Sequence, residues 1–436
     1  MRRIRMTPVI VTAFATPAVC LAQGTFVQIY GTFNVDGQYA SADDPSPVPA
    51  GINGAVVGGT TRPLGVAPVN NSIPGQPGVS SNASNIGFRG SEDLGDGLKA
   101  IFQLESSLNL DTGNGNLGGR NSNVGLTGKW GTIFYGLWDT PYKNVTGGRI
   151  DPFWNTGAAS FASVKGSPGF NISSAGTAAA ASPTALVTND AAAFERRQTN
   201  SVQYWTPNFA GFSGRLAYSP GEINQSFIPI GYTLPQSVSP WLFSASAIYD
   251  NGPIFAALSY EQHNDYFGTR VFTGANTAPG NSSNDWGGKA VLGVQNVLGG
   301  LRLYGVYERL SYKTDGVVTR GQLTEFRRDA FGVMGTYEFG AWTLRAGWMR
   351  MNDPSCSAIG AICLDSDLGA DKYSIGASYN FSKRTLAYVY WTLQANDAYA
   401  RYKLGTNTGA VPSAGAATIG IGAEPQAAGL GIRHTF

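Results

Sequence analysis

Along most of the chain, apolar and polar residues alternate one for one. In AWTLRAGWMR (341–350), Trp342, Leu344, Ala346 and Trp348 share one face, and Thr343, Arg345 and Gly347 share the other. In DKYSIGASYNF (371–381), Tyr373, Ile375, Ala377, Tyr379 and Phe381 alternate with Lys372, Ser374, Gly376, Ser378 and Asn380. In LKAIFQLES (98–106), Leu98, Ala100, Phe102 and Leu104 alternate with Lys99, Ile101, Gln103 and Glu105. Successive side chains of a strand point to opposite faces, so each stretch predicts a strand with one apolar and one mostly polar side. The pattern predicts strands over 25–38, 83–91, 97–108, 119–128, 131–139, 197–206, 211–219, 239–250, 253–262, 285–297, 300–312, 328–339, 341–351, 371–381, 384–394 and 426–436.

Two environments suit such strands. A soluble sandwich or propeller would bury the apolar face, whereas a membrane barrel would turn it to lipid and close the polar face around water. The segments mostly run about 9–12 residues, the length of a tilted membrane-crossing strand, where soluble strands average about 5–6. Trp and Tyr cluster near their ends, as in the aromatic belts at a lipid boundary. Connections alternate between short turns (DLGDG, KWGT, PNFAG, DNGP, VLGGL, FGAW, FSKR) and long Gly-, Pro-, Ser-, Asn- and Ala-rich loops such as 41–82, 139–196 and 395–425. That asymmetry fits a barrel with short turns on one side and long loops on the other. The final GLGIRHTF stops in mid-strand, with Leu430, Ile432 and Phe436 in one phase. In lipid an open sheet edge is not tolerated, so the last strand is expected to pair with the first, FVQIYGTFNV, and to set Phe436 in the aromatic belt.

Composition narrows this further. Only 13% of residues are Asp, Glu, Lys or Arg, 12% are aromatic and 58 are Gly. Mean hydropathy is −0.10, and past residue 22 no run approaches the ~18 apolar residues of a spanning helix. Residues 1–22 read as an export signal: Arg2, Arg3 and Arg5, an apolar stretch from Val9 to Val19, then a small residue at Ala22. The barrel is then expected to occupy 23–436. Removing those three arginines from 30 basic residues leaves 27 against 28 acidic ones, so the chain gives no reason to expect a nucleic-acid partner. Cys356 and Cys363, in CSAIGAIC, suit a short loop disulfide in an oxidising compartment or two free thiols. With only His263 and His434 to help, a metal site is not expected.

Several stretches carry a family resemblance. SNIGFRGSEDLGDGLKAIFQLES (84–106), NVGLTGKWGTIFYGLWDTPYK (123–143), NSVQYWTPNFAGFSGRLAYSPGE (200–222), FSKRTLAYVYWT (381–392) and the terminal GLGIRHTF resemble the general porins of beta-proteobacteria. GSEDLGDGLKA and the terminal Phe motif are the specific parts. The resemblance implies an all-β, 16-stranded antiparallel transmembrane β-barrel with short periplasmic turns, long extracellular loops and a third loop folded into the lumen. It also implies a homotrimer in outer-membrane lipid and passive diffusion of small hydrophilic solutes and ions. The first loop, 41–82, and an Ala/Ser-rich stretch at 174–186 depart from the family pattern.

A diffusion channel needs a narrow place with fixed charges, because low-dielectric walls focus the field there. The third loop is the expected constriction, with Asp139, Lys143, Arg149 and Asp151 as its charges and Lys165, Asp190 and Glu195 further along. The basic wall opposite is expected from Arg89, Arg120 and Arg197. Ile86 and Phe88 face lipid by phase, which turns Arg89 inward; Val202 and Tyr204 do the same for Arg197, beside Ser201 and Gln203. Arg120 matches the family's basic position at the start of the fourth strand, yet shares parity with the apolar Val124 and Leu126. The plain alternative is that these arginines are solvated lumen residues. Arginines opposite a loop with few acids suggest a mild anion preference.

Other motifs lose to simpler readings. DTG at 111–113 has no second copy to make an aspartyl dyad, and DTGNGN reads as a turn before it reads as a calcium loop. No Gly-rich phosphate loop is followed by Lys and Ser or Thr, and two histidines offer little to a nucleophile. The expected function is therefore a general diffusion porin, without cofactor or catalysis. Its rivals are a substrate-specific porin for organic anions or sugars, and an outer-membrane hydrolase or adhesin on the same barrel.

Overall fold

The computed structural model describes residues 26–43, 45–46, 56–57, 60–61, 72–168, 194–220, 241–264, 282–315, 323–358, 363–400, 402–405, 420 and 422–436. The expected signal segment, Asp190 and the stretch 174–186 lie outside them.

Sixteen strands form the wall: β1 (Phe26–Asp43), β2 (Asn85–Gly95), β3 (Leu98–Asn109), β4 (Ser122–Gly128), β5 (Gly131–Asp139), β6 (Arg197–Trp205), β7 (Phe212–Pro220), β8 (Trp241–Asn251), β9 (Ile254–Asn264), β10 (Ser282–Val297), β11 (Leu301–Asp315), β12 (Leu323–Phe339), β13 (Trp342–Met351), β14 (Ala370–Asn380), β15 (Thr385–Asn396) and β16 (Glu424–Thr435). Each pairs antiparallel with its sequence neighbours. The ring closes where β1 meets β16, from Thr32 opposite Thr435 to Asp43 opposite Glu424. Phe436 completes the seam: its backbone exchanges two 3.1 Å hydrogen bonds with Gly31, and its ring lies 5.0 Å from Phe33. A side chain at position 31 would collide with that ring, so the glycine makes room for Phe436 at the seam.

Alternation sets the two faces. Outward positions such as Ile29, Val124, Leu258, Leu292, Ile375 and Leu430 are solvent-exposed apolar residues, while their neighbours Asn34, Gln203, Ser244, Glu308 and Thr392 are buried polar ones. A soluble protein shows the reverse, and this inversion is the signature of a wall with lipid outside. Among the described residues no helix is long and apolar enough to cross a membrane; the crossing is made by strands. Near the seam, Tyr388 and Tyr390 of β15 lie flat over Gly431 and Gly429 of β16, where any Cβ would strike the phenol rings. Tyrosine covers backbone that glycine leaves bare, which keeps the pairing dry.

The wall extends beyond the predicted spans. The first connection was expected as loop, yet Ile73–Ser81 forms a further strand that pairs with the upper half of β1. Strands β10, β11 and β12 run 16, 15 and 17 residues, and Ser355–Ala358 adds to β12. Polar sequence in these extensions hid them from a hydrophobic count. Cys356 lies in that added strand and is disulfide-bonded. The side chain of Cys363 lies outside the described residues.

Candidate functional site

The third connection leaves β5 at Asp139 and turns inward. Thr140 caps a short helix, α1 (Pro141–Asn144), its hydroxyl accepting from the Lys143 amide at 3.4 Å. The chain then runs through residues 145–168 across the inner faces of the wall, held by buried polar contacts. Glu308 on β11 is the hub. It accepts from the Tyr142 hydroxyl at 2.8 Å and the Gly166 amide at 2.7 and 2.9 Å, and pairs with Arg328 at 2.6 Å and Lys289 at 3.4 Å. Lys289 also donates to Glu195 at 2.6 Å and the Thr146 hydroxyl at 2.9 Å. Lys372 of β14 donates to the Ala158 carbonyl at 3.0 Å, and Arg345 of β13 to that of Pro152 at 2.6 Å. Buried charges are costly unless paired, so a loop that completes these pairs is fixed against the wall. Burial would raise the Glu195 carboxyl, but Lys289 and Lys165 outweigh it and hold it below its usual range. Burial, reinforced by Glu308, pushes the Tyr142 phenol well up, so it stays a donor.

The expected constriction residues fall into separate groups. Asp139 pairs with Lys143 at 2.8 Å and Arg197 at 3.3 Å, and accepts from Asn121 at 3.0 Å, all at the root of the loop. Arg149 reaches across to β8, bonding Asp250 at 2.8 Å and Gln295 on β10 at 3.0 Å, its guanidinium 4.7 Å above Phe255. Asp151 turns into the loop itself, where it accepts from the amides of Phe153 (2.9 Å) and Phe161 (2.7 Å) and lies 3.6 Å from Lys165. It is 2% exposed, so it braces the loop and presents no carboxylate to the channel. Arg89 lies on the inner face as its phase requires, 4.9 Å over Tyr30 and bonded to Gln28 at 3.0 Å.

The parity conflict at Arg120 has a local cause, and the face expected for Arg197 needs correction. Arg120 precedes β4, which begins at Ser122, so strand parity does not govern it; its guanidinium pairs with Glu105 of the neighbouring strand at 2.5 Å. Arg197 does not share a face with Ser201 and Gln203. A register shift between Gln198 and Ser201, with Asn200 at φ +51°, sets Gln198 opposite Trp138 and Arg197 opposite Asp139. The extra residue flips the phase, so Arg196 and Gln198 take the inward side. Parity from Val202 and Tyr204 cannot carry across a bulge that the sequence does not announce.

Below the loop, toward the short turns, the lumen is ringed by arginines that belong to no sequence motif. Arg215 of β7 lies 4.3 Å over Trp205 and donates to Asn144. Arg302 of β11 is 3.5 Å from Glu338. Arg345 and Arg433 lie 4.3 and 5.3 Å from the ring of Trp154, a residue at φ +59° in the loop. Among the described residues Arg89, Arg215, Arg345 and Arg433 have no carboxylate at ion-pair distance. Strand alternation had already put Arg345 on a polar face; which polar faces lie under the loop was not readable.

A closed, lipid-facing barrel with an inward, charge-pinned third loop is the architecture of a pore, and the family model of Gram-negative porins matches residues 9–417. The chain belongs to the Gram-negative porin family. Among its relatives, an outer membrane porin protein of Bordetella pertussis is 28% identical over 384 residues, covering 84% of this chain and 86% of the relative. Outer membrane porin protein 32 of Delftia acidovorans is 29% identical, covering 82% and 85%. The major outer membrane protein P.IA of Neisseria meningitidis serogroup C is 27% identical, covering 82% and 84%. Among solved structures, an anion-selective porin from Comamonas acidovorans shares the fold at a TM-score of 0.65 with 22% identity, over 95% of this chain and all of that one. This porin is thus an outer-membrane protein, and its function is that of a diffusion channel.

Proposed function

We propose that this porin is a general, size-limited channel for small hydrophilic solutes that favours anions. The observation that carries the reading is the charge left over on the inner wall. Loop acids Asp139, Asp151 and Glu195 each have a basic partner, and so do Asp250, Glu105 and Glu338 on the wall. Among the described residues Arg89, Arg215, Arg345 and Arg433 have no carboxylate at ion-pair distance, and they outnumber the inner-wall acids without a cationic partner, such as Asp36, held by Asn82 and Tyr388, and Glu261, beside His263. In a narrow aqueous path with low-dielectric walls a surplus of fixed positive charge concentrates anions. Solutes pass by diffusion, with no catalytic step and no cofactor. Of the expected constriction, Arg89 and Arg120 act as wall charges, Arg149 ties the loop to the wall, and Asp139, Lys143 and Arg197 act as the brace at the loop root.

Family resemblance supports assembly as a homotrimer; the basic, apolar and small residues of 1–22 support export, and the short CSAIGAIC spacing with a disulfide-bonded Cys356 supports a Cys356–Cys363 bond. Reversal potentials in a potassium chloride gradient test the central reading. The expected sign is that of chloride preference, and a clear potassium preference would overturn it. Liposome swelling across neutral sugars of rising size should show a smooth cutoff; one strongly favoured sugar would instead support a substrate-specific channel.

A further inference from the structure

The inner wall over β5–β7 carries a feature that a water-filled pore does not need. Phe134, Trp138 and Trp205 pack edge to face, with ring centroids 5.2 Å apart for Phe134–Trp138, 5.2 Å for Phe134–Trp205 and 5.9 Å for Trp138–Trp205. They lie on the lumen side. Phe134 is opposite Gln203, Trp138 opposite Gln198 and Trp205 opposite Arg215, whereas the alternate positions Tyr135, Leu216 and Tyr218 are exposed on the outer face. Phe134 is buried beneath, and Trp138 and Trp205 are half-buried. Arg215 spreads over Trp205, and among the described residues its hydrogen-bonding partner is Asn144. Unlike the Trp205 indole, whose N–H donates to Gln203 at 3.2 Å, that of Trp138 has no partner among the described residues. Apolar rings on a wetted wall are costly in surface terms, and an unpaired guanidinium beside them leaves an anion wanting.

We propose that this shelf is a solute subsite for planar aromatic carboxylates. The carboxylate would pair with Arg215 and the ring would pack on the free face or edge of Trp138, each group meeting what the wall leaves unsatisfied. A saturated ring of equal charge and similar bulk keeps the ion pair and loses the ring–ring contact. The inference deepens the anion reading by naming the class of anion, and rests on it for the ion pair. It is separable in the test, because chloride selectivity comes from the whole arginine ring and ring discrimination from the shelf alone.

The experiment uses the full porin in planar bilayers carrying a chloride current, with benzoate or cyclohexanecarboxylate added. Benzoate should reduce the current at concentrations about three- to tenfold below those cyclohexanecarboxylate needs, the range expected of one aromatic contact. Trp138→Leu should bring benzoate to the level of cyclohexanecarboxylate while chloride reversal potentials stay unchanged. Arg215→Gln should weaken both carboxylates together. Equal potency of the two acids on the unaltered porin, a comparison that needs no variant to fold, overturns the shelf even if chloride preference holds. So does benzoate preference that survives Trp138→Leu in a channel of normal conductance.

Discussion

At the scale of single residues, charge placement matters more than charge number. Arg345 and Arg433 share Trp154 and, among the described residues, have no carboxylate at ion-pair distance, so each adds directly to the field in the lumen. Arg433→Gln should shift the reversal potential toward the cation side, by a few millivolts in a tenfold salt gradient, leaving the barrel intact. Arg149→Gln should do less or the opposite, because it also frees Asp250. Glu308 is the residue on which the loop depends most. Glu308→Ala would leave Arg328 and Lys289 buried beside a missing partner, a cost of about 3–5 kcal/mol. The expected result is a noisier channel that closes at lower voltage, measured in single-channel records, rather than loss of the barrel.

At the scale of elements, the third loop is a charged strap that works only while its pairs stay ionised. Glu195 has its carboxyl held below the ordinary 4.5 by Lys289 and Lys165. A depressed carboxyl contributes stability above its ordinary value and loses it as pH falls through the lower native value. Conductance and closing voltage should therefore hold steady from neutral pH to about 4.5 and change only under more acid conditions. A change already complete by pH 5 would contradict this pairing. The loop also shows where sequence reading stopped. Its acids and bases were all visible, but Asp151 looked like a channel charge because nothing local says that its oxygens accept from Phe153 and Phe161. The strands were legible because lipid and water impose one period on every strand. The bulge at Asn200 was not, because one inserted residue leaves that period undisturbed on either side.

At the scale of the whole molecule, closure is the controlling event. The ring and backbone of Phe436 complete the seam with Gly31 and Phe33. Removing Phe436, or replacing Gly31 with Val, should lower the yield of folded barrel several-fold, read as the heat-modifiable band on unboiled gels; the two changes together should be little worse than either. A homotrimer should appear on the same gels as a slower band that heating abolishes.

What the sequence determined by itself was the number of strands, their faces and the closure of the ring, since these follow from a period of two between hydrocarbon and water. It also marked the third connection as too long for a turn. Only the tertiary structure decided which charges are used up in holding that connection and which remain for the solute. Pairing inside the lumen joins residues far apart in the chain, such as Tyr142 with Glu308 or Arg345 with Pro152. No local pattern encodes such meetings, because they arise only when the sheet has curled into a ring and brought its opposite walls within reach.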